Sequence, residues 1–151
     1  METANINVKF LSNNKEKQVP FYATDGSAGM DLKACIENDI TLKPLERALI
    51  PTGIAISLPG PEFGAFLFAR SGLASKHGIT LANCVGVVDS DYTGEIKVAL
   101  VNLSYEEYTI TNGERIAQMV IMEVAKAKFT VCEELEKTER GDGGFGSTGS
   151  F

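Results

Sequence analysis

Residues 83–102 read NCVGVVDSDYTGEIKVALVN, and this stretch decides the fold. Its first part carries the β-branched residues Val85, Val87 and Val88, which favour a strand. Its second part, Glu95–Asn102, alternates apolar and other residues with the period of two that is typical of a half-buried strand. Between them, Asp-Tyr-Thr-Gly is suited to a tight reversal. We therefore predict a β-hairpin with two carboxylates at its tip.

The same period of two recurs along the chain. Ile54, Ile56 and Leu58 alternate with smaller residues, and glycine and proline separate the short apolar runs. Strand-like patterns also cover Ile116–Val124 and Lys128–Cys132. The best helix candidate is one or two turns at Ser71–Lys76. We predict an all-β protein, a jelly-roll-like distorted β-barrel of short strands followed by a flexible C-terminal arm.

Length and composition narrow the function classes. A chain of 151 residues with net charge −6 is sufficient for one domain, and its acidity argues against a nucleic-acid-binding surface. No apolar run approaches the roughly 20 residues that span a bilayer, and the amino terminus lacks signal-peptide features, so we expect a cytoplasmic or nuclear protein without membrane partners. The three cysteines and the single histidine, His77, cannot assemble a usual zinc site. The cysteines are expected to pack as small apolar residues.

Three positions attract a chemical interpretation before any family is considered. Asp89, at the mouth of the predicted hairpin, is a candidate general base, although a solvated turn would also contain Asp and Gly. Ser71 is a plausible helix N-cap, and helix N-termini also bind phosphate. Gln118 is a single amide among apolar neighbours, which indicates that it faces a site or an interface.

The end of the chain changes composition abruptly. Residues 140–151 contain five glycines and two phenylalanines, and they read RGDGGFGSTGSF. Such a tail is usually a disordered terminus. Its arginine, hydroxyls, free backbone amides and aromatic ring are also the parts of a lid over an anionic ligand that contains a base. We predict a catalytic core at residues 1–136 and a glycine-rich arm at residues 137–151.

Five segments, in chain order, resemble the five sequence motifs of the trimeric deoxyuridine triphosphatases (dUTP pyrophosphatases). They are residues 28–32 (AGMDL), 70–78 (RSGLASKHG), 86–94 (GVVDSDYTG), 113–118 (GERIAQ) and 140–149. Each match alone is weak, but five in order over most of the chain are specific. Glu114 stands where aspartate is expected most often.

The resemblance implies the hydrolysis of dUTP to dUMP and pyrophosphate by attack of water at the α-phosphorus. Asp89 matches the carboxylate that orients and deprotonates the water. Asp31 matches an acidic position that holds metal-bound water, while Mg²⁺ is bound mainly by the substrate phosphates. Such an enzyme keeps uracil out of DNA and supplies dUMP for thymidylate synthesis.

The resemblance also assigns the substrate contacts. Phosphate contacts are expected from Arg70, Ser71, Gly72 and Gln118. The uracil is expected to be read by Asn83 and by the hairpin at Gly86, Val87, Val88 and Lys97, with Tyr92 under the deoxyribose. From the arm, Phe145 is expected to stack on uracil, and Arg140, Gly146, Ser147 and Thr148 are expected to close over the phosphates. In the family the arm comes from another subunit, which implies a homotrimer with shared active sites.

Three other interpretations remain open. A dCTP deaminase has a related fold, but Ser-Gly rather than Ser-Ser follows Arg70 here. A catalytically silent binding protein would normally lack Asp89 or the tail. An unrelated jelly-roll interaction domain would leave the five motifs unexplained.

Overall fold

The computed structural model describes residues 3–11, 14 and 17–144. Within them the chain forms short strands and one helix, as the period of two predicts. In chain order these are β1 (Asn7–Phe10), β2 (Met30–Lys33), β3 (Ile40–Leu42), β4 (Arg47–Ser57), β5 (Phe63–Ala69), α1 (Ser71–His77), β6 (Ile79–Leu81), β7 (Gly86–Val88), β8 (Glu95–Asn102), β9 (Tyr108–Ile110) and β10 (Arg115–Glu123).

Two antiparallel four-stranded sheets enclose the core. One has the strand order β1-β4-β8-β6 and the other β2-β10-β5-β7, while β3 and β9 form a separate pair. A single apolar cluster takes side chains from both large sheets, including Ile50, Val98, Leu32 and Leu67. This arrangement confirms the all-β, jelly-roll-like prediction. Within the described residues no helix is long and apolar enough to cross a membrane.

The predicted hairpin is wrong as a paired ladder, although both of its strands exist. Strand β8 covers the predicted Glu95–Asn102, but it pairs with β4 and β6. Strand β7 pairs with β5 in the other large sheet. Gly86 makes this pairing close, because a Cβ there would lie 2.9 Å from Leu67 Cβ. Residues 89–94 therefore connect two sheets rather than close one hairpin.

Further predictions for the second half of the chain are partly confirmed. Strand β10 confirms the pattern at Ile116–Val124, but Lys128–Cys132 forms no strand, and Phe129 and Val131 are 92% and 98% exposed. Strand β10 already has β2 and β5 as partners, and alternation alone makes no strand without a partner. The expected packing of cysteines is wrong for Cys84 and Cys132, which are exposed.

The short helix α1 matches its prediction, but its N-cap does not. Arg70, in an extended conformation, is the N-cap residue, and Ser71 is the first helical residue. The helix ends at Gly78, which has φ 66° and donates its N–H to the Ala74 carbonyl at 3.1 Å. A positive φ of this kind is the usual reason for glycine at this position.

One buried polar side chain, Asn102, joins two loops at the end of β8. Its amide nitrogen donates to the carbonyls of Leu42 at 2.8 Å and Glu106 at 2.7 Å. Its oxygen accepts from the Ser104 N–H at 2.9 Å and from the Ser104 hydroxyl at 2.8 Å. Because every side-chain hydrogen-bonding group has a partner, this fully buried amide is compatible with the core.

Candidate active site

A group of three charged side chains gathers where β2, β10 and the start of α1 meet. Asp31 lies on β2, opposite Gln118 of β10 in the register, and Gln118 is in turn opposite Phe68 of β5. Strand β5 ends at Ala69, so the next residue, Arg70, reaches the same corner. Asp31 Oδ1 lies 2.9 Å from Arg70 Nε, and Asp31 Oδ2 lies 3.2 Å from Arg115 Nη1.

The electrostatics of this corner favour an anion. Two guanidinium groups share one carboxylate, so the group keeps a net positive charge. Arg70 Nη1 also donates to the Arg115 carbonyl at 3.0 Å, which fixes the plane of the Arg70 guanidinium. The Asp31–Arg70 contact is a close ion pair rather than an aligned hydrogen bond. The exposed Ser71 and Gly72 follow Arg70 directly. Such a set of donors suits phosphate oxygens.

A second cavity, of about 470 Å³, lies beside β7 and β8. The predicted residues Asn83, Gly86, Val87, Val88, Asp89, Tyr92 and Lys97 all line it. Its apolar lining includes Leu49, Leu67 and Leu81, which the sequence did not indicate. An apolar lining with a few polar groups is typical of a site for a small organic ligand.

Glu95 contacts several residues around this second cavity, and the sequence analysis did not identify it as a site residue. Its carboxylate accepts the N–H of Gly53 at 3.0 Å, at the bulge in β4, and lies 3.8 Å from Lys97 Nζ. Its backbone carbonyl accepts the Tyr92 hydroxyl at 2.9 Å. The Tyr92 N–H donates to the Asp89 carbonyl at 3.1 Å. Tyr92 is therefore held at its backbone and at its hydroxyl by residues three positions away, while the contact of Glu95 with the distant Gly53 is one that no local pattern indicates.

Asp89 is the free carboxylate of the second cavity. It is exposed, and among the described residues its side chain has no hydrogen-bond or ion-pair partner. A carboxylate in this condition can accept a proton from a bound water molecule without first breaking a contact.

The two groups of site residues lie far apart within one chain. Asp31, Arg115 and Gln118 line another cavity, of about 1010 Å³, which shares no lining residue with the Asp89 cavity. Val88, which precedes Asp89, is opposite Ala65 of β5, and Arg70 lies five residues after Ala65. Because β5 and β7 are antiparallel, Asp89 is one residue further from Arg70 than Val88 is, and six residues at about 3.3 Å each place Asp89 roughly 20 Å from Arg70.

The C-terminal candidates are only partly described. Arg140 is exposed, and its Nε donates to the Gly143 carbonyl at 2.8 Å within a local turn. Phe145, Gly146, Ser147 and Thr148 lie outside the described residues.

Comparisons with known proteins agree on one family. The dUTPase family model matches residues 15–149. The chain is 58% identical over 144 residues to deoxyuridine 5'-triphosphate nucleotidohydrolase of Finegoldia magna, covering 95% of this chain and 99% of that protein. It is 51% identical over 145 residues to the protein of the same name from Neisseria meningitidis serogroup B, covering 96% and 97%. Its fold resembles that of the Staphylococcus bacteriophage 80alpha dUTPase G164S mutant with dUpNHpp, with TM-score 0.85, 29% identity and coverage of 97% and 99%.

Proposed function

The chain belongs to the dUTPase family, and we propose that it hydrolyses dUTP to dUMP and pyrophosphate. The observation that carries this proposal is that Asn83, Tyr92 and Asp89 line one cavity. The family resemblance assigned Asn83 to the uracil, Tyr92 to the deoxyribose and Asp89 to the attacking water. By removing dUTP, the enzyme keeps uracil out of DNA and supplies dUMP.

The Asp89 cavity selects the nucleoside. Asn83 and the backbone of β7 read the polar edge of uracil, while apolar lining residues lie against its ring. Tyr92 lies under the deoxyribose, and its bond to the Glu95 carbonyl supports it against displacement. A 2'-hydroxyl on this face would meet a ring that cannot retreat, so ribonucleotides are disfavoured. Cytosine is rejected because its amino donor meets a donor in the site.

The reaction needs one base and several cations. Asp89 accepts a proton from water as the water oxygen attacks the α-phosphorus, the bond to the bridging oxygen breaks, and pyrophosphate leaves. Arg70, Ser71 and Gln118 bind the phosphate oxygens on which negative charge develops. No covalent intermediate forms, because the nucleophile is water.

Mg²⁺ is proposed to arrive with the triphosphate. Within the described residues no group of three acidic, histidine or cysteine side chains could hold a metal. Both oxygens of Asp31 are paired with arginines, which favours a contact with the ion through water over direct ligation. These residues fit an ion whose ligands are mainly phosphate oxygens and water, since Mg²⁺ keeps much of its hydration. When bound, the ion neutralises charge on the phosphates.

We propose a homotrimer in which each active site is shared between subunits. The separation of roughly 20 Å between Asp89 and Arg70 supports this arrangement, because one α-phosphorus cannot lie next to both residues of the same chain. The Asp89 cavity of one subunit would then face the Asp31–Arg70 corner of a neighbour. Residues 137–151 are proposed as the arm that closes over this site, with Phe145 stacked on uracil. A cytoplasmic or nuclear location stays a prediction of the sequence.

The first experiment measures pyrophosphate release from dUTP with Mg²⁺, beside dCTP, dTTP and UTP, with an EDTA control. We expect turnover of dUTP alone and its loss in EDTA. Release of ammonia from dCTP, measured alongside, would instead favour a deaminase-related activity, and no turnover by the folded protein would favour a silent binding protein.

The general-base role is tested by Asp89→Asn, with Asp91→Asn as the matched control on the same connection. We expect Asp89→Asn to bind dUTP and to lose about 10²- to 10⁴-fold in kcat, the usual range for a general base. Asp91→Asn should stay near wild type. Near-full activity of Asp89→Asn would contradict the assignment.

Subunit mixing tests the shared site. Asp89→Asn and Arg70→Ala are each expected to be inactive alone. After unfolding together at equal amounts and refolding, about one site in four should combine an intact Asp89 with an intact Arg70 if the two come from different subunits of a symmetric trimer. No recovery of activity would contradict sharing.

A further inference from the structure

Tyr108 of β9 contacts two segments that lead to Arg70. Its ring faces the His77 ring, with centroids 5.0 Å apart and an interplanar angle of 48°. Its hydroxyl donates to Glu114 Oε1. We propose that Tyr108 is a positioning residue that sets the orientation of the Arg70 guanidinium. The proposal rests on the proposed function, because that function makes Arg70 a phosphate ligand.

The first connection runs through α1. His77 is the last residue of this seven-residue helix, and Arg70 is its N-cap. The Tyr108 ring therefore braces one end of a short rigid element whose other end carries Arg70. Tertiary contacts of this kind determine the orientation of so short a helix, since an isolated helix of this length is not stable.

The second connection runs through the turn before β10. Glu114 Oε2 accepts the Thr111 N–H at 3.1 Å while Oε1 accepts the Tyr108 hydroxyl. The Glu114 backbone carbonyl accepts the Ala34 N–H at 2.8 Å. Glu114 is thus fixed by both its side chain and its backbone.

The residue that follows Glu114 holds Arg70 directly. The Arg115 carbonyl accepts Arg70 Nη1 at 3.0 Å, and the Arg115 guanidinium lies 3.2 Å from Asp31. The Arg115 carbonyl lies in the peptide between residues 115 and 116, one peptide after the Glu114 carbonyl, so a shift of Glu114 would move it and so turn the Arg70 guanidinium. Displacement of a positioning group by about 1 Å is sufficient to lower a rate by up to about 10²-fold.

The chemistry of Tyr108 and Glu114 suits a hydrogen bond that persists at physiological pH. Burial, and then the hydrogen bond to the Glu114 carboxylate, raise the pKa of Tyr108 to about 12, so the hydroxyl remains a donor at all physiological pH values. Glutamate at position 114, where aspartate was expected, spans both the hydroxyl and the Thr111 N–H. Aspartate is shorter by one methylene, so from the same backbone we expect it to keep only one of these two contacts.

The test removes only the hydroxyl. Tyr108→Phe keeps the ring against His77, and we expect kcat/KM for dUTP to fall about 5- to 20-fold because Arg70 is misaligned. Tyr105→Phe is the matched control, since Tyr105 is fully exposed and should leave kcat/KM unchanged. Glu114→Asp should reproduce part of the loss.

A double-mutant cycle separates positioning from general destabilisation. Arg70→Lys lacks the Nη1 that donates to the Arg115 carbonyl, so in that background Tyr108→Phe should cost less than about twofold. An equal loss in both backgrounds, or a Tyr108→Phe enzyme within twofold of wild type, would overturn the proposal.

A second readout does not depend on turnover. In the substrate-free protein, the side-chain Nε–H resonance of Arg70, assigned by its absence in Arg70→Lys, should shift in Tyr108→Phe and stay in place in Tyr105→Phe. An unchanged resonance would overturn the positioning role. If the wild-type protein lacked dUTPase activity while the Arg70 resonance still shifted in Tyr108→Phe, only the proposed function would be contradicted.

Discussion

Replacement of Asn102 by alanine tests the most buried polar contact in the protein. The side chain is completely buried and makes four hydrogen bonds of 2.7–2.9 Å. At roughly 1 kcal/mol each, the four bonds give an upper value of about 4 kcal/mol. Ser104 and Glu106 are partly accessible to water, which can satisfy them, so we expect a net loss of about 3 kcal/mol.

The assay is thermal and urea unfolding at fixed protein concentration, because oligomers unfold in a concentration-dependent way. For a chain of this length, a loss of about 3 kcal/mol corresponds to a fall in Tm of about 10 °C. Asn112→Ala is the control, since this exposed asparagine accepts a single N–H, that of Ile36 at 3.0 Å, and should cost under about 1 kcal/mol.

A free energy of unfolding for Asn102→Ala within about 1 kcal/mol of the wild-type value would refute the reasoning. It would mean that water replaces the amide at the end of β8. Asn102→Asp provides a second check, because a carboxylate there would face the carbonyl oxygens of Leu42 and Glu106. We expect it to be at least as unstable as the alanine variant at neutral pH.

The other predictions concern pH, packing and the arm. The pKa of Tyr108 is about 12 rather than 10.0, so the stability that it contributes is complete below pH 10 and is lost as the pH rises toward 12. We expect a loss on the order of 1 kcal/mol after solvent screening. This loss should be absent from the unfolding curves of Tyr108→Phe. Gly86→Ala should cost about 1–3 kcal/mol and raise KM for dUTP, because its Cβ would meet Leu67 Cβ; an undiminished cost of Gly86→Ala in the Leu67→Gly background, which lacks that Cβ, would contradict the cause. Deletion of residues 140–151 should leave a folded core with severely reduced turnover, and circular dichroism that shows unfolding would contradict the role as a lid.

Local pattern predicted the elements well where burial alternates. Strand β8 has its predicted bounds. Helix α1 ends at His77, one residue after its predicted end, because Gly78 terminates it. The candidates Asn83, Asp89 and Tyr92 come together because they lie close in sequence, on either side of the three-residue strand β7. The pattern failed at Lys128–Cys132, where alternation continues but no partner strand accepts the backbone hydrogen bonds.

The sequence by itself determined the all-β class, the cores of the strands and the residue types of the candidate site, since period and motif are local properties. Only the tertiary structure decided that β7 and β8 belong to different sheets, that Gly53 holds Glu95, and that the Arg115 carbonyl holds Arg70 while Tyr108 holds Glu114. It also decided the distance between Asp89 and Arg70. Alternation reports which face of a strand is buried but not which strand lies beside it, because partner choice depends on contacts between segments far apart in the chain.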